Sequence, residues 1–374
     1  MTKFFIIIPI VFSWVLSIVN TTGLGITYDT PTKTNYLIFI WYLFIYFKNS
    51  HRISFNRNFI LIFFTLLSFI IIPFIKTNSF DGVKYLMMVP FTYCISKQYI
   101  TESVLKLCCN IIALLGLSVI YLFNNTDIFS GWNDNHLAMI SLFSYIFYSI
   151  TLYGDLSRRK LTVGLLISLL YVFELTQNSN SRSCYIFIIL TILFVYGFIS
   201  FNKIIKSKYF LLIALNVPLF ICVFSISFQD LTILSYFNEW SQNNFDKTDF
   251  NGRIDIWIQT FQNLKDTKFI GEGKFMVNHH NSAAAIIGVF GVIGYICWYN
   301  LFEKPINFLK RYINDSIVLG CLISFLLIFW QQSFELGFVS TNPNMIPYVI
   351  LGIGLARAKK ININASHKYN NSSI

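Results

Sequence analysis

The chain has 374 residues, of which 55% are hydrophobic and only 12% charged, with a formal net charge of +11. Soluble domains carry about 25% charged residues, so this composition excludes an ordinary water-soluble enzyme and points to a surface that mostly faces lipid. The positive balance does not indicate a nucleic-acid partner, because the basic residues fall in short clusters between apolar runs and not on one polar face.

The first apolar run follows Lys3 and extends from Phe4 to Val19. It is long for the core of a signal peptide, and no small-x-small cleavage site follows, so it reads as an uncleaved first span. Further apolar runs place spans near 35–47, 59–75, 83–96, 104–123, 136–152, 161–177, 184–201, 209–228, 282–302, 316–334 and 343–356. The runs 35–47 and 83–96 are shorter than the roughly 20 residues a helix needs to cross a bilayer, so their ends must extend into flanking polar residues.

Loop charge tests this layout. With the N-terminus inside, the cytoplasmic breaks and termini hold 19 of the 28 lysines and arginines, whereas the short outer loops hold only Lys33, Lys76, Lys84 and Arg182. The positive-inside rule therefore favours an even number of spans with both termini cytoplasmic. The expected fold is all-α: a polytopic membrane protein of about twelve transmembrane helices with one large outer loop. Spans 1–9 occupy residues 1–228, the loop 229–281, spans 10–12 residues 282–356, and a cytoplasmic tail 357–374, whose Asn/Ser-rich part from 361 onward is expected to be disordered.

The seven cysteines are scattered through apolar runs without CxxC or Cys/His spacing, so they read as small buried hydrophobes and not as metal ligands or disulfides. No metal site and no cofactor is expected.

Candidate chemistry gathers at the outer ends of spans. The large loop holds seven of the seventeen acids, and loops of this length in compact proteins are usually functional. Within it, Ile254, Trp257, Ile258, Phe261 and Leu264 repeat at helical spacing, with Asp249 and Asn251 as candidate N-caps. Arg253 then sits in a first helical turn, where the dipole favours an anion and the guanidinium offers a forked donor for phosphate. The plain alternative is that Arg253 pairs with a nearby aspartate. Gly271-Glu272-Gly273-Lys274 forms a turn that is not a P-loop. His279, His280 and Asn281 stand at the start of a span, where a histidine can act as a general base or simply hydrogen-bond. Two adjacent histidines point about 100° apart on a helix and do not make a metal site.

Ser181-Arg182-Ser183 opens another span, where a charge is costly and often functional, although an interfacial arginine can also snorkel. Asn133-Asp134-Asn135-His136 opens a further span and reads as helix capping or as part of a site. Glu174 and Glu335 lie near outer span ends and can balance nearby arginines. Two arginines and a candidate base at one membrane face suit an anionic, membrane-held substrate such as a lipid diphosphate.

Three segments carry a family resemblance: Ser181-Arg182 at a span start; Gly252-Arg253 with Trp257, followed by Gly271-x-Gly273; and His280-Asn281, nine residues, then Gly291 and Gly294. In this order and topology the chain resembles the O-antigen polymerase and O-antigen ligase proteins of bacterial envelopes, over roughly residues 130–300. Position 257 is Trp where the ligases often have Leu, and Trp132-Asn133-Asp134-Asn135 is more similar to the polymerases.

The resemblance implies a GT-C-like, metal-independent, inverting glycosyltransferase of the bacterial inner membrane. Its donor would be an undecaprenyl-diphosphate-linked glycan. Its acceptor would be another lipid-linked repeat unit for a polymerase, or the lipid A core for a ligase, with a chain-length regulator as a further partner. Arg182 and Arg253 would stabilise the diphosphate leaving group, and His280 would take the acceptor proton. Asn281 would orient the histidine or the sugar, and Trp257, Asn135, His279 and Lys274 would complete the substrate-binding set. A lipid-linked oligosaccharide transporter is the rival from another class, since twelve spans suit it equally well.

Overall fold

The computed structural model describes residues 59–98, 100–129, 134–153, 157–177, 181–197, 202–228, 252–275, 279–335 and 344–371, with isolated positions elsewhere. Among these residues the secondary structure is helical, without strands. α1 (Phe59–Leu66) widens into a π-helical stretch (Leu67–Ile71) and continues as α2 (Ile72–Thr77). There follow α3 (Asp81–Ile95), α4 (Glu102–Asn125), α5 (Asp134–Ser149), α6 (Arg158–Gln177) and α7 (Arg182–Val195). The remainder comprises α8 (Asn202–Lys206), α9 (Phe210–Ser227), α10 (Arg253–Asp266), α11 (Ser282–Lys310), α12 (Ser316–Gln331) and α13 (Ile346–Asn371).

Among the described residues, four helical stretches are long and apolar enough to cross a membrane: Ile60–Thr77, Glu102–Asn125, Phe210–Ser227 and Ser282–Lys310. α5, α6, α7 and α12 contain shorter apolar helices. The expected apolar runs from 59–75 onward all overlap described helices. The runs 4–20 and 35–47 lie outside the described residues except for single positions such as Trp14, whose indole N–H donates to Ser144 Oγ of α5 at 2.6 Å. Most of the large loop, the stretch 130–133, and the side chains of Asp134 and His136 also lie outside the described set. One expectation is corrected: α13 runs on to Asn371, so most of the Asn/Ser-rich tail is helical and not disordered.

Burial separates central from peripheral helices. α5 is buried from Leu137 to its C-terminal end, and α12 from Gly320 to Phe329, as helices apolar on all sides must be when surrounded by others. α1, α6 and α9 bury one side and expose Ile60, Phe63, Leu166, Phe173, Leu212 and Phe224 on the other. Apolar patches of that extent do not face water in soluble proteins, but they match a hydrocarbon surround. All seven cysteines are buried free thiols, as their apolar settings imply.

α11 is broken at Gly291, whose φ of 71° and ψ of −175° belong to a region essentially reserved for glycine. The break divides a buried first arm, 282–290, from the rest of the helix and strips backbone groups of their helical partners. The turn after α10 replaces them. Glu272 N–H donates to Gly288 O at 2.8 Å, Gly273 N–H donates to Val289 O at 2.9 Å, and Phe269 O accepts from Val292 N–H at 3.1 Å. Backbone can approach backbone this closely only without side chains: a Cβ on Gly271 would stand 2.5 Å from Gly291 N, and one on Gly291 would stand 2.4 Å from Ile270 O. Phe290, at the break, stacks on Phe69 of the π-helical stretch at 4.4 Å between ring centroids.

Gly197 offers a clean control, because it also has positive φ (78°), yet a Cβ there would meet nothing within 4 Å among the described residues. Gly197→Ala should cost about 1–2 kcal/mol from backbone strain alone. Gly291→Ala should cost about 1–3 kcal/mol more, from overpacking against the 269–271 turn. Thermal unfolding in detergent checks this; equal losses would show that the turn does not hold the break.

Candidate functional site

Past the end of α12 the chain turns through Gln332, Ser333 and Phe334 to Glu335. This turn meets the start of α11. Ser282 N–H donates to Gln332 O at 2.9 Å. The Asn281 amide donates to Ser333 O at 3.2 Å and to Pro218 O of α9 at 2.8 Å, while Asn281 Oδ1 caps α11 by accepting from Ala284 N–H at 3.0 Å. Asn281 is fully buried, so its described role is to lock three helices together. α9 continues nine residues past Pro218, about 13 Å at 1.5 Å per residue, so the site is recessed below the end of that helix.

α10 docks on this junction. Its apolar stripe buries Trp257, Thr260 and Leu264, with Asp255 in the first turn and Lys265 in the last complementing the helix dipole. Arg253 is the first residue of α10, as the periodicity implies, but the capping position is Gly252 at φ 76° and not Asp249 or Asn251. Arg253 clamps the turn after α12: Nη1 donates to Phe334 O, and Nη2 to Glu335 Oε1 at 3.0 Å. The arginine is thus paired with a carboxylate 82 positions away, and not with an aspartate of its own loop. Trp257, completely buried, donates its indole N–H to His279 O at 2.7 Å and so ties α10 to the chain entering α11.

The two histidines separate. His279 is 1% exposed, and its ring packs beside Gly288 and Thr260. His280 adopts positive φ (47°), which turns its side chain the other way, and its Nδ1 lies 3.4 Å from Glu335 Oε2. Glu335 therefore holds Arg253 with one oxygen and His280 with the other. His280 is the most open of the three, 31% exposed against 12% for Glu335 and 15% for Arg253. A carboxylate on Nδ1 fixes the tautomer with the proton on that nitrogen and makes Nε2 the basic one.

Electrostatics agree with the geometry. Burial pushes the Glu335 carboxyl up, but the hydrogen bond to His280 and the charge of Arg253 outweigh it and hold the group below the usual carboxylate range.

The other expected residues are placed as follows. Arg182 opens α7, part-buried, and Cys184 in the same turn lies within reach of the Glu335 charge, so the two helix ends share one end of the bundle. Asn135 is the second residue of α5 and part-buried. Lys274 follows the turn that closes the α11 break, at the far end of the first arm, about 13 Å along it from His280. Glu174 accepts from Asn124 Nδ2 at 2.9 Å, so its described partner is an amide and not an arginine. What the sequence did not reveal is the double role of Glu335. The available signal was a lone carboxylate ending an apolar run, a group that must find partners to be buried.

The chain is thus a membrane protein whose described secondary structure is helical, with a polar triad at one end of its bundle. No protein-family model, no curated protein and no solved structure matches it.

Glu335 stabilises the fold only when ionised. Because its folded pKa lies below the unfolded value of about 4.3, that contribution is present above the unfolded value and is lost as pH falls through the folded one. Glu335→Gln should melt below the parent protein at neutral pH, with the gap closing below about pH 4. A gap independent of pH would contradict this ionisation.

Proposed function

We propose that this protein is a membrane glycosyltransferase that polymerises undecaprenyl-diphosphate-linked repeat units of O-antigen or capsule at the periplasmic face. In this reading the bundle has about twelve spans, both termini are cytoplasmic, and the 229–281 loop is periplasmic. The observation that carries it is the shared Glu335 carboxylate, which places a tautomer-fixed histidine next to an arginine in one recessed site.

The chemistry follows from the donors. His280 Nε2 takes the proton of the acceptor hydroxyl as its oxygen attacks the anomeric carbon, and Glu335 stabilises the imidazolium that forms. The bond from the anomeric carbon to the diphosphate oxygen breaks on the opposite side, inverting the centre. Arg253 spends two of its five N–H donors on Phe334 and Glu335, which leaves three for the departing diphosphate. Arg182, at the same end of the bundle, is the second cation of the leaving-group site. Trp257 and Asn281 act by positioning, through the backbone of His279 and the turn after α12.

A lipid-linked donor also needs a path for its chain. An apolar groove of about 490 Å³ lies between α7 and α9, and its lining includes Trp330 and Phe334, whose carbonyl receives Arg253. Such a groove supports a substrate with an apolar tail and an anionic head.

One observation favours a transporter instead: α11 is a broken helix with a buried first arm, a common feature of transport sites. At this break, however, the carbonyls of Gly288 and Val289 accept from Glu272 and Gly273 N–H, so the chain itself caps the break. Within the glycosyltransferase reading, transfer to the lipid A core by a ligase is the alternative acceptor.

Purified protein given diphosphate-linked repeat units should extend them. His280→Ala should lower turnover by about 10²–10⁴, and Arg253→Ala by about 10²–10³, in preparations that melt cooperatively. Full-length polysaccharide made by either variant would sink the assignment. A deletion strain separates the acceptors: single-repeat lipopolysaccharide marks a lost polymerase, and polymer accumulating on undecaprenyl diphosphate marks a lost ligase.

A further inference from the structure

Asp315 and Glu335 flank α12, so the end of the bundle that carries Asp315 lies about 24 Å from the Glu335 site along that helix. There the last turn of α3 meets α13. Lys97 Nζ lies 5.0 Å from the centre of the Tyr93 ring, and Lys359 Nζ lies 5.2 Å from the centre of the same ring. The two ammonium groups are therefore at most about 10 Å apart, close enough for one phosphodiester to reach both with modest side-chain movement. Lys359 also donates to Ser96 Oγ at 2.6 Å.

Among the described residues no carboxylate neutralises these charges. Asp315 is engaged by Arg357, which donates from Nε at 3.0 Å and from Nη2 at 2.8 Å, and Glu102 is engaged by Lys106. Neither Lys97 nor Lys359 has a carboxylate partner among the described residues. Burial, together with the charge of Lys97, pushes the Lys359 ammonium down to about 8. Two ammonium groups held on one ring without a carboxylate between them form a cradle that an anion would satisfy.

The surroundings indicate which anion. Val89 and Tyr93, one helical turn apart on α3, are exposed by 38% and 39%, so an apolar stripe leads from the lysines along the outside of the bundle. A ligand with a phosphate head and acyl chains fits both parts, whereas free phosphate fits only one. Basic pockets between helix ends are a known mode of phospholipid headgroup binding.

We propose that Lys97 and Lys359 bind the phosphodiester headgroup of an anionic phospholipid and thereby pin α3 to α13. The site is separate from the candidate active site and does not depend on the glycosyltransferase reading.

The test uses the full chain in detergent, titrated with phosphatidylglycerol, with phosphatidylcholine, and with inorganic phosphate, reading the melting temperature and intact-protein lipid adducts by mass spectrometry. Phosphatidylglycerol should raise the melting temperature and form adducts, and the other two should not. Lys97→Gln should weaken phosphatidylglycerol binding about fivefold, and Lys97→Gln with Lys359→Gln further. Lys203→Gln with Lys206→Gln, at exposed lysines of α8, should leave it unchanged. Lys97 is exposed, so its single variant keeps the test decisive should the double variant not fold. Equal binding by the parent and Lys97→Gln, or an equal response to phosphatidylcholine, would overturn the proposal. A shift produced as well by inorganic phosphate would replace the lipid with a free anion and overturn it too.

Discussion

A carboxylate taken from water must be compensated locally, and Glu335 is compensated twice, by Arg253 on one oxygen and by His280 on the other. Three segments far apart in the sequence converge on it: the first residue of α10, the residue before the α11 cap, and the turn after α12. Without this carboxylate, the guanidinium would lose its charged anchor, and the His280 ring would lose its contact at Nδ1. Removing one member of such a pair leaves a buried charge alone and commonly costs about 3–5 kcal/mol. The same contact therefore serves the docking of α10 and the chemistry proposed for His280.

A second constraint supports the first. The α11 break is closed by backbone hydrogen bonds from the turn after α10, so α10 is held at both ends: by Arg253 at its start and by the 269–273 turn at its finish. The first arm of α11 lies between these anchors and carries Asn281 at its cap. This arrangement explains why glycine is needed at both Gly271 and Gly291, which approach each other at backbone distance. It also shows that the break has a structural use independent of any transported ligand.

Much of the helical layout was legible in the sequence, because apolar runs of sufficient length have few alternatives to helices in lipid. The α10 stripe was legible for the same reason, as a period of 3.6 around Trp257 and Leu264. Less was legible at the ends. The cap of α10 is a glycine in the left-handed region, which side-chain capping rules do not select. The tail is helical although its composition is poor in apolar residues, because α13 begins with a buried apolar segment that the helix simply extends. At the site, Arg253 and His280 were recognisable as charged or titratable groups beside apolar runs. That Glu335 balances an arginine was legible too, but not which arginine, nor that it also holds His280, since separations of 82 and 55 positions leave no local trace.

The most direct test of Glu335 as the organising contact is a double-mutant cycle for thermal stability with Arg253→Ala, Glu335→Ala and the combined variant. If Arg253 is held chiefly through that carboxylate, the losses will be non-additive, with a coupling of about 1–3 kcal/mol. Losses that add to within about 0.5 kcal/mol would mean that the two side chains act independently, and would contradict the central role given to their contact.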